Sequence, residues 1–250
     1  MGRKGPRRHL KRFPAPAFWP ISKKAFKFAV KPSPGPHPID RCIPLLSIVR
    51  DVLGYAENGR EARKIIKEGT IKIDGRIRKD PKFPVGLMDV VEIPKTDEHY
   101  RLLPHPQKGL MVHEISKEEA KVKLCRIENK TTVKGGHVQL NLHDGRNKII
   151  RIANPFKPEE DVYKTMDAVK ISIPEQEILS HIKLEEGVLA LIIGGKNIGL
   201  HGRIIKIERG FGRHRSIVTL ESIEKDIIKT SLIYTFPVGR EEPEISIPKW

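Results

Sequence analysis

Three places in this sequence carry residue types that could do chemistry. His143 and Asp144 beside Arg146 put an imidazole, a carboxylate and a guanidinium close together, the materials of general acid–base catalysis. Neighbours on a strand point to opposite faces, however, so adjacency alone does not let Asp144 orient His143. The run His143-Asp144-Gly145-Arg146-Asn147 reads better as a turn in which Asp144 bonds the local backbone and Arg146 meets a phosphate. Gly194 to Gly202 holds four glycines in nine residues and invites a phosphate-loop reading. The GxxxxGK[ST] pattern is absent and a strand pattern follows, so a hairpin turn with basic flanks fits better. Cys42 and Cys125 are the only cysteines, they form no CxxC pair, and none of the ten histidines pairs with another at ligand spacing. The expectation is a chain with no catalytic residue, no metal and no cofactor.

What remains is charge. The formal net charge is +16, and residues 1–39 carry ten Lys/Arg and no Asp or Glu. These cations are Arg3, Lys4, Arg7, Arg8, Lys11, Arg12, Lys23, Lys24, Lys27 and Lys31. Pro6, Pro14, Pro16 and Pro20 and the lack of periodicity predict an extended arm that orders on a polyanion. Phe13, Phe18 and Trp19 lie among the cations, where aromatic rings can stack on unpaired bases. The longest apolar run, Val188 to Ile193, falls far short of the roughly 20 residues of a spanning helix. No membrane partner and a cytoplasmic location are expected.

Elements must position these charges. Leu45 to Leu53 places its apolar residues on one helical arc, and Gly54 ends it. Asn58 is the expected N-cap of a second helix, Gly59 to Glu68, with Arg60, Arg63, Lys64 and Lys67 on one side and Ala62, Ile65 and Ile66 on the other. Asp74-Gly75 predicts a tight hairpin leading to Arg76 and Arg78, with Lys79 just beyond. Residues 60–82 hold nine Lys/Arg against four Asp/Glu, a concentrated basic surface. Residues 101–180 alternate short β-like stretches with turns, including Val138 to Leu142 and Val169 to Ile173. In the last region, residues 195–215 hold six Lys/Arg and one Glu, with an aromatic at the tip of the loop Gly210 to Arg215.

With these residues in view, the chain resembles the archaeal and eukaryotic S4e family of small-subunit ribosomal proteins. The likeness runs through Pro32 to His37, Pro44-Leu45-Leu46 with Arg50-Asp51, Phe83 to Val91, Leu140 to Asn147 and Gly194 to Gly202, and covers nearly the whole length. It implies a mainly β protein with a small α+β module. The expected parts are a basic extended arm and Pro-rich joint (1–42), an S4-type RNA-binding domain (43–105), a family-specific central β domain (106–180) and a KOW SH3-like domain with a C-terminal tail (181–250). It implies no catalysis and no small-molecule substrate. The partners would be ribosomal RNA of the small subunit and neighbouring ribosomal proteins. Met166-Asp167 departs from a usual Gly-Asp turn, and Leu200-His201 replaces a commonly basic residue in the KOW loop, which shifts weight to Arg213 and Arg215.

The expected RNA contacts are thus Arg3, Lys4, Arg7, Arg8, Lys11, Arg12, Trp19, Lys23 and Lys24 in the arm. Arg60, Arg63, Lys64, Lys67, Arg76, Arg78 and Lys79 follow in the S4-type domain, then Arg146, Lys196, Asn197, Arg203, Arg213, His214 and Arg215. Two other functions remain open at this point, an RNA-modifying enzyme that uses the first module for targeting and a free KOW-type translation or transcription factor. Only about 75 residues separate the two modules, too few for a catalytic domain with its own core. The ten-cation arm suits permanent burial in RNA better than a free factor.

Overall fold

The computed structural model describes residues 9–154, 159–222 and 225–248, and the expected contacts Arg3, Lys4, Arg7 and Arg8 lie outside them. The chain forms two compact units, residues 1–103 with 107–120, and residues 104–106 with 121–250. It is mainly β, with short helices confined to the first unit apart from single 3-10 turns. No helix among the described residues is long and apolar enough to cross a membrane.

In the first unit the arm is not free. Strands β1 (Leu10–Lys11) and β2 (Phe28–Ala29) pair antiparallel, and the chain between them folds Ala15 and Trp19 into the core beside Ile43, Leu46 and Val49. The Trp19 indole N–H donates to the Cys42 carbonyl at 2.7 Å. An extended arm was expected because its cations repel and its prolines break periodicity. One buried tryptophan removes enough apolar surface from water to outweigh that over residues 9–42.

Strand β3 (Cys42–Pro44) leads into α1 (Leu45–Ser47), where Leu45, Leu46, Ser47, Ile48 and Val49 are buried. The predicted helix is present in place, but its hydrogen bonds widen across Ile48–Val52: the Leu53 N–H donates to the Ile48 carbonyl at 2.8 Å, five residues back. Helix α2 spans Gly59–Lys67. The Asn58 carboxamide oxygen accepts from the N–H groups of Arg60 and Glu61, and Glu61 reaches back to the Glu57 N–H and the Asn58 amide. Asn58 is the N-cap that the sequence predicts, and Glu61 makes the cap reciprocal, beyond that expectation. Strands β4 (Lys72–Ile73) and β5 (Arg76–Ile77) form the expected hairpin, with φ of 48° at Asp74 and 72° at Gly75. Two left-handed residues in succession are what a two-residue type I′ turn needs, which explains the Asp-Gly pair.

Strand β6 (Pro84–Gly86) pairs with β3, while β7 (Val90–Ile93), β8 (Glu98–His105) and β9 (Gly109–Glu114) complete a sheet of order β5-β4-β7-β8-β9. Ile71, Ile73, Val91 and Leu102 from this region join Ala62 and Ile66 of α2 in one core.

The second unit holds two five-stranded sheets. In the first, β10 (Val122–Thr132) pairs at one end with β13 (Ala168–Ser172) and at the other with β11 (Val138–Leu142). Flanked by β12 (Asn147–Ile150) and β14 (Ile178–Ile182), it has the order β12-β11-β10-β13-β14. Its core is Cys125, Ile127, Val138, Leu140, Leu142, Ile152, Val169 and Ile171. The stretch between the two modules is thus filled by a sheet with a hydrophobic core of its own. Met166 stands at φ 76°. A left-handed residue there gives the physical reason why glycine would be usual at that turn.

The second sheet comprises β15 (Leu189–Ile192), β16 (His201–Glu208), β17 (Ile217–Ser222), β18 (Ile227–Ser231) and β19 (Thr235–Gly239), in the order β18-β17-β16-β15-β19. The last strand returns beside the first, the arrangement of an SH3-like barrel.

Candidate nucleic-acid interface

The α2 face forms as the sequence predicts. Arg60, Arg63, Lys64 and Lys67 are all exposed and line one open cleft together with Glu68. Among the described residues no ion pair engages any of the four. The opposite side of the helix buries Ala62 and Ile66, so packing fixes which way the cations face. The helix C-terminus meets the hairpin, since a Cβ on Gly69 would lie 3.1 Å from Lys79 Cε. Lys79 and Arg76 are exposed, whereas the half-buried Arg78 lays its guanidinium over the Phe83 ring at 4.5 Å.

The arm divides. Lys11, Lys23, Lys24 and Lys27 are exposed, and so are Phe13 and Phe26. Two expected contacts are corrected. Trp19 is only 4 % exposed, so neither face of its ring is open to a base. Arg12 is buried, donating from Nε to the Phe28 carbonyl at 3.3 Å and from Nη1 to the Ser22 carbonyl, with Phe26 stacked 5.1 Å away. Both hold the arm onto the unit, which linear charge and aromatic content cannot distinguish from RNA contact.

Several cations of the second unit are likewise committed to the protein. Arg146 Nε lies 3.3 Å from Asp144 Oδ2, and the buried Lys123 Nζ lies 3.0 Å from the same oxygen. The expected backbone bond is also there, with the Arg146 N–H donating to Asp144 Oδ1 at 3.2 Å. Asp144 therefore anchors Arg146 inward, and the phosphate role expected of Arg146 has to compete with that pair. Arg126, also buried, donates from Nη1 to the Ile233 and Thr235 carbonyls at 2.9 and 2.7 Å and from Nε to Glu128 at 2.9 Å. Arg213 Nη1 lies 3.6 Å from the other Glu128 oxygen. Arg203 donates from Nη1 to the Gly187 carbonyl at 3.0 Å. Lys196, His214 and Arg215 are exposed, and Asn197 is half-buried in the turn.

Cys125, His143 and Asp144 bring ligating atoms within 4.8 Å of one another, a cluster that spacing along the chain does not reveal. Its chemistry is already answered: Asp144 carries two cations, and His143 Nδ1 accepts the Arg126 N–H at 3.2 Å. A carboxylate neutralised by lysine and arginine has little left to offer a metal ion. Cys42 is no more reactive, because burial first, then the nearby Asp89 and Asp40, push its thiol up to about 12.

One basic surface escapes the sequence reading. Lys130, Lys164, Lys183, Arg209 and Arg213 line a single open cleft of the second unit, with Asp167 and Glu185. Lys130 is paired to Asp161 at 2.5 Å, while Lys164, Lys183 and Arg209 are exposed. These residues come from a strand end and three separate loops, so no window of sequence contains the signal.

The comparisons with known proteins agree with this architecture. The family model "Ribosomal family S4e" matches residues 96–178, the RS4NT domain matches 4–40, and the S4 domain matches 44–91. The small ribosomal subunit protein eS4 of Staphylothermus marinus is 60 % identical over all of this chain and 99 % of its own length. That of Methanocaldococcus jannaschii is 54 % identical over 99 % of this chain and all of its own length. The crystal structure of the 30S ribosomal protein S4e from Thermoplasma acidophilum superimposes with a TM-score of 0.66 at 33 % identity, covering 80 % of this chain and 96 % of that one. Identity of this order across full length carries both fold and family: the chain belongs to the ribosomal S4e family.

Proposed function

We propose that this chain is a structural constituent of the small ribosomal subunit that binds ribosomal RNA chiefly through the α2 face, and that it is not an enzyme. The observation that carries this reading is the row Arg60, Arg63, Lys64 and Lys67, exposed and, among the described residues, without ion-pair partners, on a helix whose other side is packed. Four like charges within one helical arc repel each other. An RNA backbone relieves that repulsion and releases its own counterions. Arg76 and Lys79 extend the same surface, the exposed lysines of the arm add to it, and Lys196, Arg203, His214 and Arg215 supply a second set of contacts in the KOW-type domain. The division 1–42, 43–105, 106–180 and 181–250 describes which part brings which cations. The protein works inside the ribosome, in the cytoplasm, with ribosomal proteins as further neighbours.

The test is a salt titration of binding to small-subunit ribosomal RNA. Changing Arg60, Arg63, Lys64 and Lys67 together to Gln is expected to leave the fold intact by circular dichroism. The slope of log affinity against log salt should fall by about 0.7–0.9 for each phosphate that is no longer neutralised. An unchanged slope in the folded variant removes α2 from the interface.

A further inference from the structure

The loop between β16 and β17 presents a feature that phosphate contacts do not explain. Phe211 at its tip is 92 % exposed, the most exposed of the large apolar side chains among the described residues. The loop beneath it is held at its base. The buried Ser216 hydroxyl donates to the Gly212 carbonyl at 2.8 Å and accepts the Gly210 N–H at 3.1 Å. The Ser231 hydroxyl lies 3.3 and 3.2 Å from the carbonyls of Arg213 and His214, and the Leu232 N–H donates to the Ser216 carbonyl at 2.9 Å. Gly210 fits because a Cβ there would lie 2.6 Å from the Arg215 carbonyl oxygen. A phenyl ring lifted off the surface by a hydrogen-bonded loop leaves a large apolar area in water, a cost that an occupant of the ring face would relieve.

We infer that Phe211 stacks on an unpaired base of the RNA that this protein binds. This role rests on the RNA-binding reading above and adds a recognition element to it. The surroundings select the occupant. Arg209, His214 and Arg215 lie within four residues of Phe211 in the chain and are exposed, and Arg209, Gly210, Gly212 and Arg213 of the same stretch line the basic cleft that also holds Lys164 and Lys183. Two nearby carboxylates are engaged: Glu208 pairs with Lys206 at 3.0 Å, and Glu128 holds Arg126 and Arg213, while Glu185 is exposed in a cleft where Lys130, Lys164, Lys183, Arg209 and Arg213 outnumber it and Asp167. A polyanionic strand can run along the cleft while one base turns out onto the ring. An apolar pocket of another protein would need no basic cleft beside it. Stacking is tolerant of base identity, since every base has a π-face. The contact therefore adds affinity for an unpaired nucleotide rather than for a sequence.

The experiment uses the full-length protein and protein-free small-subunit ribosomal RNA, with Phe211→Ala, Phe211→Leu and Phe211→Trp compared across a range of potassium chloride concentrations. Removal of the ring in the Ala and Leu variants is expected to weaken binding roughly tenfold. The salt slope should stay that of the unaltered protein, because every phosphate partner remains in place. The Trp variant should restore affinity, and nucleotide-resolution probing should show one unpaired position losing protection in the Ala variant but not in the Trp variant. If unaltered protein binds with the expected salt dependence and the Ala variant binds equally well, the inference is overturned and the RNA reading stands. If the Ala variant binds bare RNA normally but fails to enter subunits when ribosomal proteins are added, Phe211 seats in a protein pocket and base stacking is overturned. If the unaltered protein shows no salt-dependent binding, both readings fall together.

Discussion

The α2 face of the first unit and Lys123, Arg126 and Arg146 of the second are both basic in sequence, yet they spend their charge differently. Arg60, Arg63, Lys64 and Lys67 stand on a helix with no carboxylate among the described residues drawn to them. Lys123, Arg126 and Arg146 are held by Asp144, Glu128 and backbone carbonyls inside the second unit. A buried cation must find its counter-charge within the protein, because desolvation without one costs several kcal/mol. An exposed row of cations on one helix face keeps its charge for a partner. Counting lysines and arginines therefore overstates the RNA surface, and burial decides which of them count.

The sharpest way to break this comparison is to attack the core beneath the free cations. Trp19→Ala should destabilise the first unit by about 3–5 kcal/mol, the range for deleting a buried tryptophan, read as a lower urea midpoint by circular dichroism. Phe13→Ala, at a side chain 72 % exposed, should shift it little. Equal effects from the two would mean that the arm is not part of the core. Deleting residues 1–31 would take Ala15 and Trp19 out of that core, so such a truncation disturbs folding and RNA assembly together.

A somewhat smaller loss is expected in the second unit. Lys123→Met takes from the buried Asp144 the lysine at 3.0 Å while Arg146 stays beside it and should cost about 3 kcal/mol, at the lower end for breaking a buried pair. Adding Asp144→Leu should recover most of it, since an apolar pair of similar volume avoids the unpaired charge. The salt slope of RNA binding should not move in the Lys123→Met variant, which keeps Arg146 paired with Asp144. A changed slope would make Lys123 a phosphate contact and erase the distinction between the two regions.

The smallest effect sharpens the comparison from the helical side. Asn58→Ala removes the side-chain acceptor for the Arg60 and Glu61 N–H groups and should cost about 1 kcal/mol. RNA affinity should fall slightly while the salt slope holds, because the four cations remain but their helix frays. A loss of slope equal to that of the four-fold Gln variant would show that the cap itself contacts RNA.

Local elements were legible because their signals lie within a few residues. Asn58, the Asp74-Gly75 turn and the alternation of Val138 to Leu142 each specify a backbone conformation through near neighbours. The widening of the first helix at Ile48–Val52 was not legible, since a five-residue hydrogen bond within an apolar helical arc changes no residue preference. The KOW-type domain was expected over 181–250 from its Gly194 to Gly202 turn and its basic loop, both local features. Its closing strand Thr235–Gly239 pairs with Leu189–Ile192 far back in the chain, a register that no local pattern encodes.

The sequence by itself determined that the chain is cationic and that its positive charge is concentrated in an acid-free arm and one helical face. It did so because charge and periodicity are properties of the residues alone. Only the tertiary structure decided which cations remain free, that Trp19 and Arg12 serve the protein interior, and that Lys164, Lys183 and Arg209 meet in one cleft. Those outcomes depend on desolvation and on which distant segments share a core. A tryptophan among lysines reads the same whether its ring ends on a base or on Ile43, until the fold has chosen.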